Sequence, residues 1–218
     1  MRITPFSLLL AGALLLVPAG AAAQSMAPGW YVTGAAGVNQ QPAYDVGGGT
    51  AYGEAESDTG WAVSGAVGYA LRPWRAEVEL SFRRNGLDTV TVGGRETGGR
   101  GDLNQTALMV NGYYDVPTGG PVVPYVGLGV GVVRVRADGW GVQDPARGLT
   151  AVSDTATLFG GQAIVGVSYV FSPDVRLNVD YRYMRTAQGS FDGPGGRDVS
   201  FHVANHALMV GLSYRFAP

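Results

Sequence analysis

From about residue 29 to residue 216 the chain returns to one pattern, segments of about ten residues in which large apolar side chains fall at every second position. Successive side chains on a β-strand point to opposite faces, so a period of two marks strands with two unlike faces. The pattern is plainest over residues 74–84. There Ala76, Val78, Leu80 and Phe82 share one face, and Arg75, Glu77, Glu79, Ser81 and Arg83 share the other. It returns with Val175, Leu177, Val179, Tyr181 and Tyr183 set against Arg176, Asn178, Asp180 and Arg182. Near the end, Leu208, Val210, Leu212, Tyr214 and Phe216 oppose Met209, Gly211, Ser213 and Arg215. Four more segments, centred near Val67, Val110, Val130 and Val165, alternate large residues with small or mixed ones. An eighth, about residues 29–39, is too rich in small residues for its facing to be assigned.

The connections discriminate between a soluble sandwich and a barrel in lipid. Three are short: Leu71-Arg72-Pro73, residues 117–121, and Ser172-Pro173-Asp174. The others, roughly 40–59, 85–103, 135–156 and 186–204, are long and polar. Short and long alternate strictly, as in outer-membrane barrels with periplasmic turns and external loops. A soluble sandwich has no reason to keep every long loop at one end. Hydrocarbon also demands an internal partner for each backbone N–H and C=O, which a closed sheet provides without a free edge. Eight strands enclose an interior only wide enough for side chains. The expected fold is therefore all-β: an eight-stranded antiparallel up-and-down transmembrane β-barrel with both termini periplasmic.

A cleaved signal peptide is expected ahead of it. Arg2 gives a positive start, residues 6–17 form an apolar run of signal-peptide length, and Ala21-Ala22-Ala23 suits a signal peptidase. The expected division is residues 1–23 as signal and 24–218 as barrel domain. Beyond it no stretch of about 20 apolar residues predicts a membrane-spanning helix. Glycine is abundant at 35 of 218 residues, yet 46% of the chain is hydrophobic and 10% aromatic, so the glycines belong to ordered apolar structure. There is no cysteine, which excludes disulfides and thiolate metal sites. A net charge of −2 lacks the basic footprint of a nucleic-acid binder.

Aromatic residues mark two levels. Tyr69, Trp74, Tyr114, Tyr169, Phe171, Tyr214 and Phe216 lie near the short turns; Trp61, Phe82, Phe159, Tyr181 and Tyr183 lie toward the long loops. Paired girdles of this kind are placed at lipid–water interfaces. The run Gly211-Leu212-Ser213-Tyr214-Arg215-Phe216 resembles the C-terminal signal read by the barrel-assembly machinery, with Gly211, Tyr214 and Phe216 as its marker residues. Ala217 and Pro218 follow the phenylalanine on which many such proteins end. The stretches Asn111-Gly112-Tyr113-Tyr114-Asp115-Val116, Pro124-Tyr125-Val126-Gly127-Leu128-Gly129-Val130-Gly131, Gln162-Ala163-Ile164-Val165-Gly166-Val167-Ser168-Tyr169 and Tyr181-Arg182-Tyr183 carry a wider resemblance. They are similar to the eight-stranded outer-membrane β-barrel superfamily, including OmpA-like membrane domains and alphaproteobacterial surface antigens. The resemblance implies a location in the cell outer membrane, among its lipid and lipopolysaccharide.

The residues that could carry function are the charges of the inner face: Arg75, Glu77, Glu79, Asp180, Arg182 and Arg215. Both signs occur, so they can pair as a salt-bridged plug, or line a narrow ion path. His202 and His206, four apart, fall in the last loop and the top of the last strand, where helical metal-binding spacing does not apply. Asp198, Ser200 and His202 invite comparison with lipid A-modifying barrels, but Ser200-Phe201-His202 reverses the expected His-x-Ser order. The Gly-Leu-Gly-Val-Gly run at 127–131 lacks the spacing and following helix of a phosphate loop. Arg100-Gly101-Asp102 places an integrin-type tripeptide in the second long loop, and Arg134 and Arg136 are placed to meet lipopolysaccharide phosphates. The leading expectation is a structural or surface-exposed barrel without catalytic, cofactor or metal site, contacting a host or environmental ligand through its loops. A small porin-like channel and a lipid A-modifying enzyme are the alternatives.

Overall fold

In a computed structural model, the backbone is described for residues 27–41, 44–48, 51–57, 59–92, 95–144, 148–187, 189–193, 197–201 and 203–216. Side chains are described for 27–41, 59–86, 102–136, 155–187 and 203–216. The expected signal peptide, residues 1–23, and His202 lie outside the described residues.

The described elements are strands: β1 (Gly29–Gln40), β2 (Tyr44–Gly48), β3 (Ala51–Ser57), β4 (Gly60–Leu71), β5 (Trp74–Val92), β6 (Arg95–Asp115), β7 (Val122–Asp144), β8 (Gly148–Val170), β9 (Val175–Thr186), β10 (Gly189–Gly193), β11 (Arg197–Phe201) and β12 (Ala204–Arg215). Eight of them form the wall in the order β1-β4-β5-β6-β7-β8-β9-β12. Each neighbour is antiparallel, and pairing of β1 with both β4 and β12 closes the ring. The short turns lie at one end, here the turn end; the long connections lie at the other, the loop end.

The wall is inverted relative to a soluble protein. Leu128 and Val130 are 73% and 69% exposed, whereas Glu79 is 1% and Arg176 1% exposed. Apolar side chains outward and charged ones inward suit hydrocarbon outside and a small polar lumen inside. The same parity resolves the first strand, which periodicity left unassigned. Tyr31 and Asn39 are buried inside while Trp30 and Val38 face out.

Glycine on the inner face of β7 admits larger side chains opposite. A Cβ at Gly129 would lie 2.0 Å from Asn111 Oδ1, and one at Gly127 would lie 2.5 Å from the Tyr113 ring. The room left by these glycines is filled by Asn111 and Tyr113 of β6.

The girdles form as expected. At the turn end Trp30 packs edge-on to Tyr69, Trp74 to Tyr114, Tyr169 to Phe171 and Tyr214 to Phe216, with centroids 4.9–5.7 Å apart. Toward the loop end Trp61, Phe82 and Phe159 face outward.

One expectation needs correction. Residues 85–103 and 135–156 read as long loops, yet β5, β6, β7 and β8 continue through most of both stretches. The other two long connections hold paired hairpins, β2 with β3 and β10 with β11, and β3 also pairs with the upper part of β5. Above the lipid neither face of a strand must be apolar, so the period-two signature fades while the backbone ladder persists.

Candidate functional site

The lumen divides into two halves of different chemistry. In the turn half, Asp115 at the end of β6 receives two arginines. Arg75 Nε donates to Asp115 Oδ1 at 2.9 Å, and Arg176 Nη1 donates to Asp115 Oδ2 at 3.1 Å. Arg75 also lies 3.4 Å from Glu77, whose Oε1 accepts a 2.7 Å bond from the Tyr31 hydroxyl. The guanidinium sits over the Tyr113 and Tyr125 rings, 4.5 and 5.0 Å from their centroids, a cation–π arrangement. Tyr125 donates to Asp180 at 2.8 Å. Arg182 then joins Asp180, 2.5 Å from its Nε, to Glu79 across the lumen.

Among the described residues, the buried charges are four arginines (75, 83, 176 and 182) and four carboxylates (Glu77, Glu79, Asp115 and Asp180). The formal charge of the set is zero. Equality matters because an unpaired ion in a poorly solvated interior costs several kcal/mol by approximate reckoning. Arg83 is the outlier of the set: its Nη1 donates to Ser81 Oγ at 3.1 Å and contacts the Met184 sulfur at 3.5 Å. It stands where the charged half gives way to the other.

The loop half is neutral. Asn39, Asn85, Gln105 and Asn205 join side chain to side chain across β1, β5, β6 and β12, with Asn39 donating to Asn85 at 2.6 Å and Asn205 to Gln105 at 2.8 Å. Around them Leu103, Ala107, Met109, Val133, Val135, Met184 and Val203 form an apolar cluster inside the barrel. Gln162 bridges the halves, donating to Asn111 at 2.7 Å and reaching Glu79 at 3.5 Å. A cavity of about 10 Å³ remains between Arg75, Asp180 and Arg182, room for roughly one water.

Of the six charges singled out from the sequence, Arg75, Glu77, Glu79, Asp180 and Arg182 meet in this network. Arg215 does not. It has the parity of the inner face but ends its strand at the rim, where it pairs with Asp174 and donates to the Pro173 carbonyl at 3.3 Å. Parity reports a face and not a depth, which is why Arg215 was grouped with the others. Arg176 was placed on the inner face but not singled out, and Asp115 and the three tyrosines were not named as members. Extending the alternation of β6 by one step would have found Asp115, whereas Tyr31 lies on the strand whose facing the sequence does not assign.

The remaining candidates separate. Gly211 faces inward, and a Cβ there would lie 2.8 Å from Ala35 Cβ, so the last strand packs tightly on the first. Tyr214 and Phe216 face outward at the turn end, and Phe216 N–H donates to the Trp30 carbonyl at 2.9 Å. His206 faces outward on β12 with Nδ1 2.5 Å from the Tyr181 hydroxyl. Asp102 of the Arg100-Gly101-Asp102 tripeptide lies within β6 and pairs with Arg84 at 2.7 Å. Arg134 and Arg136 are exposed on the outer face of β7. No cluster of three or more His, Cys, Asp or Glu suited to a metal occurs among the described residues.

A closed sheet that turns its apolar side chains outward between two aromatic belts, and fills its small lumen with paired charges, is an integral membrane β-barrel. The chain belongs to the outer membrane protein beta-barrel domain family, whose model matches residues 9–216. The protein is thus an outer-membrane protein. It is 25% identical to outer membrane protein PagN of Salmonella typhimurium, the match covering 92% of this chain and 95% of PagN. An uncharacterized protein of Brucella abortus is 30% identical over 132 residues, and the chain spans 46% of that protein's length. Among solved structures, the outer membrane protein OprG from Pseudomonas aeruginosa shares the fold at a TM-score of 0.60, with 17% identity over 87% of this chain and 97% of OprG.

Proposed function

We propose that the protein is a non-enzymatic surface barrel whose plugged wall holds a strand platform outside the cell for contact with a host or environmental ligand. The observation that carries this reading is strand length. About 9–11 residues suffice to cross the hydrocarbon, whereas β6, β7 and β8 run for 21, 23 and 23 residues. The surplus lies at the loop end, which in this class of barrel faces outward. The interior supports the same reading, since its ion pairs and apolar cluster fill the cross-section that a channel would need open.

The C-terminal Gly211, Tyr214 and Phe216 fit recognition by the barrel-assembly machinery. The glycine lets β12 approach β1 closely, and the two rings present an aromatic pair outward beside the seam.

The test is a peptide tag inserted between Asp144 and Gly148. Antibody should label intact cells; labelling only after lysis would overturn the reading. In planar bilayers the wild-type protein should give no steady conductance, and overexpression should leave the mass of lipid A unchanged. Stable channels abolished by Glu79→Ala would favour the porin-like alternative.

A further inference from the structure

The outer face of the wall is not uniform at the loop end. Along β7 the outward residues run Val126, Leu128, Val130, Val132, then Arg134 and Arg136. The change from apolar to cationic occurs within one step of the strand. Register carries the polar level sideways. Arg84 pairs with Asn104, Asn104 with Arg136, and Arg136 with Thr155, one rung across β5, β6, β7 and β8. One rung nearer the lipid, Arg134 pairs with Thr157. With strands about 4.8 Å apart, the rung from Arg84 to Thr155 spans roughly 14 Å. Directly beneath it, Phe159 is 74% exposed and pairs with Val132.

The other half of the wall is different. Toward the loop ends of β1, β4, β9 and β12, the outward side chains among the described residues include Gln40, Trp61, Tyr183, Arg185 and His206, with a single arginine. Among the described residues, cationic density is therefore concentrated on the β5–β8 face, where Asp102 is one counter-charge, held by Arg84.

We infer that the β5–β8 face seats one phosphorylated, multiply acylated sugar lipid of the outer leaflet, with its acyl chains on the Val126–Val132 stripe and its phosphates at Arg134 and Arg136. The arginine fork suits phosphate oxygens, and a charge-assisted bond at the lipid boundary is stronger than one in open water. The amide of Asn104 and the hydroxyls of Thr155 and Thr157 supply the neutral donors and acceptors that a sugar ring needs. A free anion would use the arginines alone, whereas an amphiphile also uses the apolar stripe that leads into them.

This inference rests on the outward orientation proposed above. The experiment uses the purified full-length protein in detergent, read by native mass spectrometry with three probes: bisphosphorylated lipid A, the same lipid dephosphorylated, and inorganic phosphate. Wild type should retain one lipid A, and Arg134→Ala/Arg136→Ala should bind it at least tenfold more weakly, about 1.4 kcal/mol. Dephosphorylated lipid should bind wild type as weakly as lipid A binds the double variant. Arg134→Lys/Arg136→Lys should retain part of the affinity, because lysine keeps the charge and loses the fork. Unchanged retention by the alanine variant would overturn the seat. So would an equal loss in Arg185→Ala, which would indicate general attraction, or displacement of lipid A by equimolar phosphate, which would indicate a simple anion site. If the seat fails while the inserted tag still labels intact cells, the surface reading stands; if the tag is hidden, the orientation itself is wrong.

Discussion

The two halves of the lumen solve the same filling problem with opposite chemistry. The turn half is packed with guanidinium and carboxylate groups in a connected network, while the loop half uses four amides and an apolar cluster. The difference is one of consequence on failure. A buried ion that loses its partner remains charged and poorly solvated, whereas a neutral amide left without its partner incurs a smaller desolvation cost. The turn half should therefore be the less forgiving of the two, although the two halves share the same strands.

Breaking that comparison calls for single substitutions on each side. Arg182→Ala should be the most damaging, at about 3–5 kcal/mol, because Glu79 and Asp180 lose their common cation. Urea unfolding followed by tryptophan fluorescence in lipid vesicles measures it. A loss no larger than that of a loop-half variant would erase the distinction. Met184→Ala, in the apolar cluster, should cost about 2–5 kcal/mol through its cavity, toward the lower end because the methionine contacts Arg83, which can relax into the space. Asn205→Ala should cost about 1–3 kcal/mol by freeing the Gln105 and Asn39 amides. The double variant Glu79→Gln/Arg182→Met sharpens the contrast: it should lose less than the two single changes summed, with a coupling of about 0.5–3 kcal/mol. Arg215→Ala should have the smallest effect, under about 1 kcal/mol, since its Asp174 partner is partly exposed at the rim.

Period two alone makes the wall and the inner face legible in the sequence. Arg75, Glu77, Glu79, Asp180 and Arg182 are inside because a one-residue shift would expose every one of them to lipid. What alternation does not encode is height. Arg215 shares the parity of Ser213, yet one lies at the rim and the other is fully buried beside Asn178. Nor does alternation encode partners across the lumen, so the meeting of Arg75 and Arg176 on Asp115 had no sequence signal. The upper parts of β5 to β8 were read as loops for a related reason. Arg95-Glu96-Thr97-Gly98-Gly99-Arg100-Gly101 has no large apolar residue to mark a face, yet it lies in β6. With both faces wet, side chains no longer advertise the strand, and only backbone pairing defines it.

The bonds across the lumen also bear on how the barrel closes. Arg182 and Glu79 are 103 residues apart, Arg176 and Asp115 are 61 apart, and Tyr31 and Glu77 are 46 apart. None joins neighbouring strands of one hairpin. A half-formed sheet would therefore keep its local pairs, such as Arg75 with Asp115 on β5 and β6, but leave Glu79 and Arg176 without their partners across the lumen. Closure is then the step at which the cross-lumen share of the electrostatic gain arrives, so the interior favours the finished circle over an open sheet.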